Sequence, residues 1–180
     1  LARALIDPRA SKGSARAVAA NVLAMEEAVD GATDGADLTV ASVLALHQTL
    51  MADEPERVMP GRFREEQNWI GGRRNNPSDA RYIPPPEDHV PTLMSDLVDF
   101  INRDDLPAVA QAAIAHAQFE TIHPFVDGNG RVGRCLIHVV LRRRDVARSF
   151  VPPVSIVLAA RPGAYIDGLV DFREGRLESW

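Results

Sequence analysis

HPFVDGNGRVGR, residues 123–134, carries the spacing G-x-G-x-x-G at Gly128, Gly130 and Gly133. On a doubly wound parallel sheet that spacing marks a dinucleotide site, but it requires a buried strand before the first glycine and an acidic residue about 20 positions further on. Neither is present. Residues 106–122, LPAVAQAAIAHAQFETI, are an almost uninterrupted run of good helix formers with a proline at the expected first turn. The segment RSFVPPV, residues 148–154, has two prolines and no acid. The glycines therefore join two helices, and the stretch reads as part of a helical fold.

Working outward, apolar residues recur at helical spacing on several segments. Val132, Leu136, Val139 and Val140 mark a helix that ends near the RRRD run at 142–145. Val18, Val22, Met25 and Val29 mark one over Ser14–Val29, and Val43, Leu46 and Leu50 another over Thr39–Met51. Leu93, Leu97 and Ile101 mark a helix starting at Pro91 or Thr92, and a short one is expected over Gly163–Phe172. Residues 53–91 differ, because PGRFREEQNWIGGRRNNPSD and the run Pro84-Pro85-Pro86 sustain neither period. An ordered loop with a short hairpin is expected there, since Phe63, Trp69 and Tyr82 are residue types that disordered segments lack. The whole reads as an all-α chain folding as one domain.

Hydrophobic residues make up 46% of the 180 and charged residues 25%, ordinary values for a globular protein. No apolar run reaches the roughly 20 residues of a membrane helix. A net charge of -5 excludes a broad nucleic-acid surface but leaves room for a small phosphate ligand in a local basic pocket. The single cysteine, Cys135, excludes a disulfide framework and a cysteine-based zinc site, and fits a reducing, cytoplasmic compartment of a bacterial cell. The chain starts without Met and stops at LESW, so flanking elements are expected to be missing.

A glycine turn at a helix start aims successive N–H groups into one concavity at the positive end of the helix dipole, an anion cradle. Arg131 and Arg134, three apart, are neighbours on that helix and suit phosphate oxygens. Asp127 is a hard carboxylate of the kind that holds Mg²⁺ while substrate phosphates supply other ligands. His123 offers an imidazole able to take a proton from a hydroxyl. Arg142, Arg143 and Arg144 read as complements to a helix C-terminus. His116 and His138 lack metal-site spacing, and His47 and His89 carry no signal.

These residues resemble the signature of Fic-domain proteins: His-Pro-Phe, any residue, Asp or Glu, Gly-Asn-Gly-Arg, two residues, Arg. Every constrained position is matched. Pro60–Gly72 (PGRFREEQNWIGG) and Arg81–Pro86 (RYIPPP) resemble the family's second signature region, and Asn21–Val29 resembles its first core helix. The resemblance covers nearly the whole chain and implies a Fic-type helical bundle over residues 1–180 with a short β-hairpin flap, about 69–83, before the catalytic helices. It implies transfer of AMP from ATP to a Ser, Thr or Tyr hydroxyl of a target protein, with release of pyrophosphate.

His123 would be the general base, and Asp127 would hold the Mg²⁺. Gly128, Asn129 and Gly130 would cradle the phosphates, with Arg131 and Arg134 on the β- and γ-phosphates. Pro124 and Phe125 would be structural. Trp69, Ile70, Tyr82 and Ile83 would lie in the flap that aligns the target segment. Tyr165 is a weaker candidate for the adenine pocket, and Arg173 a weaker one still. Glycine at 130, where the Doc-like kinases carry Lys, favours AMP over γ-phosphate transfer. The family's inhibitory string [ST]-x-x-x-E-[GN] is absent from these residues, so an inhibitory helix is expected from a missing flank or a partner; self-modification also fits. A different donor, or a nucleotide-binding module with little or no transfer activity, remain the alternatives.

Overall fold

The computed structural model describes residues 37–73, 76–147 and 154–176, together with residues 22, 23, 25–27 and 30 of an upstream helical segment. The remainder of the helix expected over residues 14–29 lies outside the described residues. The described helices are α1 (Val40–Leu50), α2 (Val90–Ile101), α3 (Ala108–Ile122), α4 (Asn129–Arg143), α5 (Val154–Ala160) and α6 (Pro162–Arg173). No strand forms among the described residues, so the chain is all-helical as expected. No described helix is long and apolar enough to cross a membrane.

Helix α3 is the centre of the bundle. It packs on α4, α2 and α6, and α1 packs on α4 and α2. Helices α1 and α2 each bury one face, whereas α3 and α4 bury residues around much of their circumference, α3 burying Ala117 and Glu120 as well as the face of Ala112, Ala115, Phe119 and Ile122. The core they share includes Met94, Leu97, Ile101, Phe119, Phe125, Leu136 and Val140. A central helix must also bury its polar residues, which are therefore put to use. Gln111 is fully buried and caps the end of α2, its Nε2 donating to the carbonyls of Phe100, Ile101 and Arg103. Arg143 donates to the Ile101 and Asn102 carbonyls, and Arg144 to Gln111 Oε1 and the Asp104 carbonyl. The arginines at the end of α4 thus tie it to the α2–α3 connection.

Helix starts follow local chemistry. Thr39 caps α1 by accepting from the Ser42 amide at 3.1 Å, and Ser42 Oγ accepts in return from the Thr39 amide at 3.4 Å. Pro107 stands at the N-cap of α3, one position before the first turn where the sequence pattern puts it. Helix α5 was not expected, because the prolines at 152 and 153 mask a helical segment that begins immediately after them.

The expected hairpin over residues 69–83 reduces to two isolated antiparallel bridges, Ile70 with Tyr82 and Arg73 with Asn76. The ladder fails for local reasons. The amides of both Arg81 and Tyr82 donate to the single carbonyl of Ile70, a bulge-like pairing that breaks register. A 3₁₀ turn at Pro77–Asp79 interrupts the second arm before Tyr82, and Pro84 lacks the amide needed to extend that arm beyond Ile83. Gly71 and Gly72 adopt φ of 77° and 72°, bending the chain where a strand would have to run straight.

The turn into α4 depends on Gly128, which has φ 83° and whose absent Cβ would stand 2.8 Å from the sulfur of fully buried Met51. Gly168 inside α6 faces open space instead. Gly128→Ala should therefore lose about 1–3 kcal/mol of stability, whereas Gly168→Ala should gain about 0.5–1 kcal/mol. Urea unfolding of the two variants beside the parent chain reads both signs.

Candidate active site

Residues 123–128 connect α3 to α4, and every turn of that loop is held. His123 ends α3 with φ 50° and ψ 58°, its amide donating to the Phe119 carbonyl at 2.9 Å. A left-handed conformation costs a non-glycine residue about 1–2 kcal/mol and persists only where its surroundings enforce it. Arg64 supplies that enforcement. Its amide donates to the Pro124 carbonyl at 2.9 Å, its Nε to the His123 carbonyl at 3.1 Å, and its remaining nitrogens to the carbonyls of Glu66 and Pro85.

Phe125 is fully buried, tilted against Phe63 and Phe119 and stacked on His47 at 3.7 Å between ring centroids. Asn129, 3% exposed, accepts from the Phe125 amide at 3.0 Å and donates to the Phe125 carbonyl at 2.8 Å. Asn68 adds a second donor to that carbonyl at 3.1 Å. His47 braces the loop from α1. Its Nδ1 accepts from the Gly61 amide, so Nε2 bears the proton and donates to the Asp127 carbonyl, both at 3.0 Å. Burial keeps this imidazole neutral by lowering its pKa.

The chemical groups follow from that frame. The amides of Asn129 and Gly130 open α4, in the first turn of the helix where no intrahelical acceptor exists. Asp127 Oδ1 accepts from the Gly128 amide at 2.6 Å. Arg131 reaches Glu54 Oε1 at 3.4 Å and the Met51 sulfur at 3.3 Å. Arg134 makes no ion pair among the described residues, and its NH1 lies 3.0 Å from where a Cβ on residue 130 would stand. Any side chain at 130 would crowd that guanidinium. Helix-start amides, an uncommitted arginine and a glycine that keeps the space between them open fit a polyphosphate. Among the described residues no cluster of three metal-ligating side chains exists. A single carboxylate, Asp127, suits a hard cation that shares its ligands with phosphate.

His123 is one-fifth exposed at its side chain, and its pKa is pushed down to about 4, first by burial and then by Arg173 and Arg64. It is a neutral imidazole at physiological pH. Behind it, Glu120 is 6% exposed and burial raises its carboxyl to about 7 against the fields of Arg134 and Arg173.

The other expected positions sit apart from the loop. Tyr82 donates to the Thr121 carbonyl at 2.8 Å and lies under Arg173, 3.8 Å from guanidinium carbon to ring centroid. Trp69 Nε1 donates to the Arg73 carbonyl within the bridged turn that also contains Ile70, and Ile83 is 55% exposed. The Tyr165 hydroxyl pairs with His116 Nε2 at 3.0 Å, so its polar end is engaged inside the bundle. Arg173 donates to the Glu120 carbonyl and to Thr121 Oγ1. Sequence reasoning passed over His47, Arg64 and Glu120. A polar residue one turn after Val43 on the buried face of α1 was the available signal for His47; Arg64 and Glu120 carried none that separates them from surface charges.

The site is a helix-start cradle suited to an anion, set beside a buried neutral imidazole on an all-helical frame. The family model of the Fic/DOC family matches residues 37–141, and the chain belongs to that family. It is 28% identical over 132 residues to the protein adenylyltransferase fic-1 of Caenorhabditis elegans, covering 72% of this chain and 23% of that protein. It is 32% identical over 119 residues to the protein adenylyltransferase Fic of Drosophila melanogaster, covering 64% and 22%. A Fic family protein from Desulfovibrio desulfuricans superposes with a TM-score of 0.71 at 27% identity, over 96% of this chain and 51% of that one. The chain thus spans less than a quarter of these curated relatives and about half of the solved structure.

Because the folded-state pKa of Glu120, about 7, lies above its ordinary value of 4.5, its burial carries no ionisation penalty below about pH 4.5, and the penalty builds as pH rises from 4.5 to 7 and is complete above that. Glu120→Gln should then leave stability near unchanged at pH 4.5 and raise it by roughly 3 kcal/mol at pH 8. Urea titrations of parent and variant at the two pH values measure that difference.

Proposed function

We propose that this chain transfers the AMP moiety of ATP to a hydroxyl of a protein. The observation that carries the reading is the loop itself, in which a neutral imidazole and a carboxylate are held at the mouth of a helix whose Arg134 has no ion-pair partner among the described residues. The names of the relatives support the same reaction class.

In this reaction His123 accepts the proton of the target hydroxyl, whose oxygen forms a bond to the α-phosphorus. The bond from the α-phosphorus to its bridging oxygen breaks, and pyrophosphate leaves. Asp127 would hold Mg²⁺, which neutralises phosphate charge when bound. The amides of Asn129 and Gly130 face the phosphate chain, and Arg134 receives charge on the departing pyrophosphate. Arg131 does the same once it exchanges Glu54 for phosphate. Almost all of this is positioning and charge compensation, which is what phosphoryl-group chemistry demands of a protein. The Asn129 side chain is fully used in holding Phe125, so its share is to shape the cradle. The bridged turn of Trp69, Ile70, Tyr82 and Ile83 offers backbone edges along which an extended target segment can align.

Incubation with ATP labelled at the α- or the γ-phosphate, alone and with cell-extract proteins, tests the proposal. Label from the α-phosphate should become protein-bound, and His123→Ala should reduce its rate by about 10²–10⁴-fold. Incorporation from the γ-phosphate would identify a kinase reaction in its place, and no incorporation from either would leave a nucleotide-binding module.

A further inference from the structure

Glu120 has no part in the chemistry above, and its surroundings are unusual. It lies one turn before His123 in α3, and its Oε2 is 3.8 Å from His123 Nδ1. His123 Nδ1 and Glu120 Oε1 are both buried without a hydrogen-bond partner among the described residues. Unpaired buried polar atoms are costly; the carboxylate atom nearest the orphaned His123 Nδ1 is Oε2, while the orphaned Oε1 lies on the Gly133 side beside His116 Nδ1, which also lacks a partner among the described residues. Glycine at 133 leaves room for the carboxylate: a Cβ there would stand 2.8 Å from Glu120 Oε1 and 3.0 Å from His116 Nδ1.

The charged and titratable groups facing Glu120 are Arg134 from α4, Arg173 and Tyr165 from α6, and His116 and His123 from α3. None of the arginines pairs with its carboxylate. Arg173 is engaged by the Glu120 carbonyl, Thr121 Oγ1 and the Tyr82 ring, so the carboxylate's one ion-pair neighbour among the described residues is the imidazole. Arg64 and Asp127 complete the charges acting on His123.

We propose that Glu120 is a positioning residue for His123, its carboxylate accepting the Nδ1–H of the imidazole so that Nε2 is left to take the proton of the attacking hydroxyl. The role rests on the reading of His123 as the base and adds what aims that base. A histidine ring is useful only in one tautomer, and the partner of its far nitrogen chooses which. The carboxylate also changes with pH in the useful sense. A proton arriving on an imidazole held as low as His123 is poorly retained unless a negative charge stands opposite, and Glu120 acquires that charge as pH rises through about 7. The competing acceptor is the main-chain carbonyl of Glu120, which also faces the ring and already receives Arg173 at 3.2 Å.

The decisive measurement is the tautomer of His123, read from ring nitrogen shifts of the ¹⁵N-histidine-labelled chain at pH 8 and assigned with His123→Ala. The parent should show protonated Nδ1 and free Nε2, and both Glu120→Gln and Glu120→Ala should shift the population toward protonated Nε2. A parent already protonated at Nε2, or a tautomer unmoved by the variants, overturns the proposal; the latter outcome assigns the role to the carbonyl. A second measurement follows α-label transfer against pH. The ratio of parent to Glu120→Gln rates should exceed tenfold at pH 8.5 and approach one at pH 6, with KM for ATP unchanged. A ratio independent of pH overturns it. If the parent transfers no label at all, adenylyl transfer fails as the function while the tautomer result still decides what Glu120 does.

Discussion

The amide of Asn129 closes on both main-chain groups of Phe125, and the geometry of the loop depends on that reciprocal pair. Its two bonds span four residues, so they convert a flexible connection into a ring that contains Val126, Asp127 and Gly128. Burying the Phe125 side chain is worth about 1.5–3 kcal/mol and fixes where the ring sits. His47 then meets the phenyl face with its own ring and the Asp127 carbonyl with Nε2. The side chains that brace it, Asn129, His47, Arg64 and Asn68, are spent on backbone groups; Asp127 is tied to the Gly128 amide at 2.6 Å, Arg131 keeps a looser partner at 3.4 Å, and Arg134 has no ion pair among the described residues.

The bundle tolerates this because its ill-placed polar groups are concentrated around α3. A buried acid that ionises near pH 7, imidazoles at 116 and 123 kept neutral by burial and a histidine in a left-handed turn are each unfavourable for folding. The compensation lies at the other end of the same helix, where Gln111 collects three carbonyls and the arginines of α4 close over the α2–α3 turn. One end of α3 carries its satisfied polar contacts and the other its unfavourable ones, a distribution of the kind found where activity and stability compete.

Much of the frame was legible in the residues alone. Apolar spacing located α1, α2, α4 and α6 to within about two residues, and the contrast between a helix before Gly128 and the strand a dinucleotide fold would need separated two meanings of one glycine pattern. What escaped reading depends on distant partners. His47 acts through Asp127, 80 positions away, and Arg64 through His123, 59 away; neither shows in a local pattern. Helix α5 was hidden by prolines that precede it, and the hairpin was overestimated because a bulge depends on how two strands meet. Gly133 looked like a free position next to a signature and proves to be the contact through which α4 admits Glu120.

Arg131 leaves one consequence. Its guanidinium is already beside an anion, Glu54 Oε1 at 3.4 Å, and is only 23% exposed at its side chain. An incoming anion therefore does not strip water from a bare cation; it swaps places with a carboxylate that returns to solvent. An anion arriving at Arg131 would meet an ion exchanger, in which part of the dehydration has been met in advance and the entering charge would be offset by the one released. Affinity gained at that residue is the difference between two similar ion pairs, while at Arg134, with no such occupant among the described residues, the whole pairing energy is new. Two arginines of one signature thus differ in kind: one holds its place in trade, the other is open.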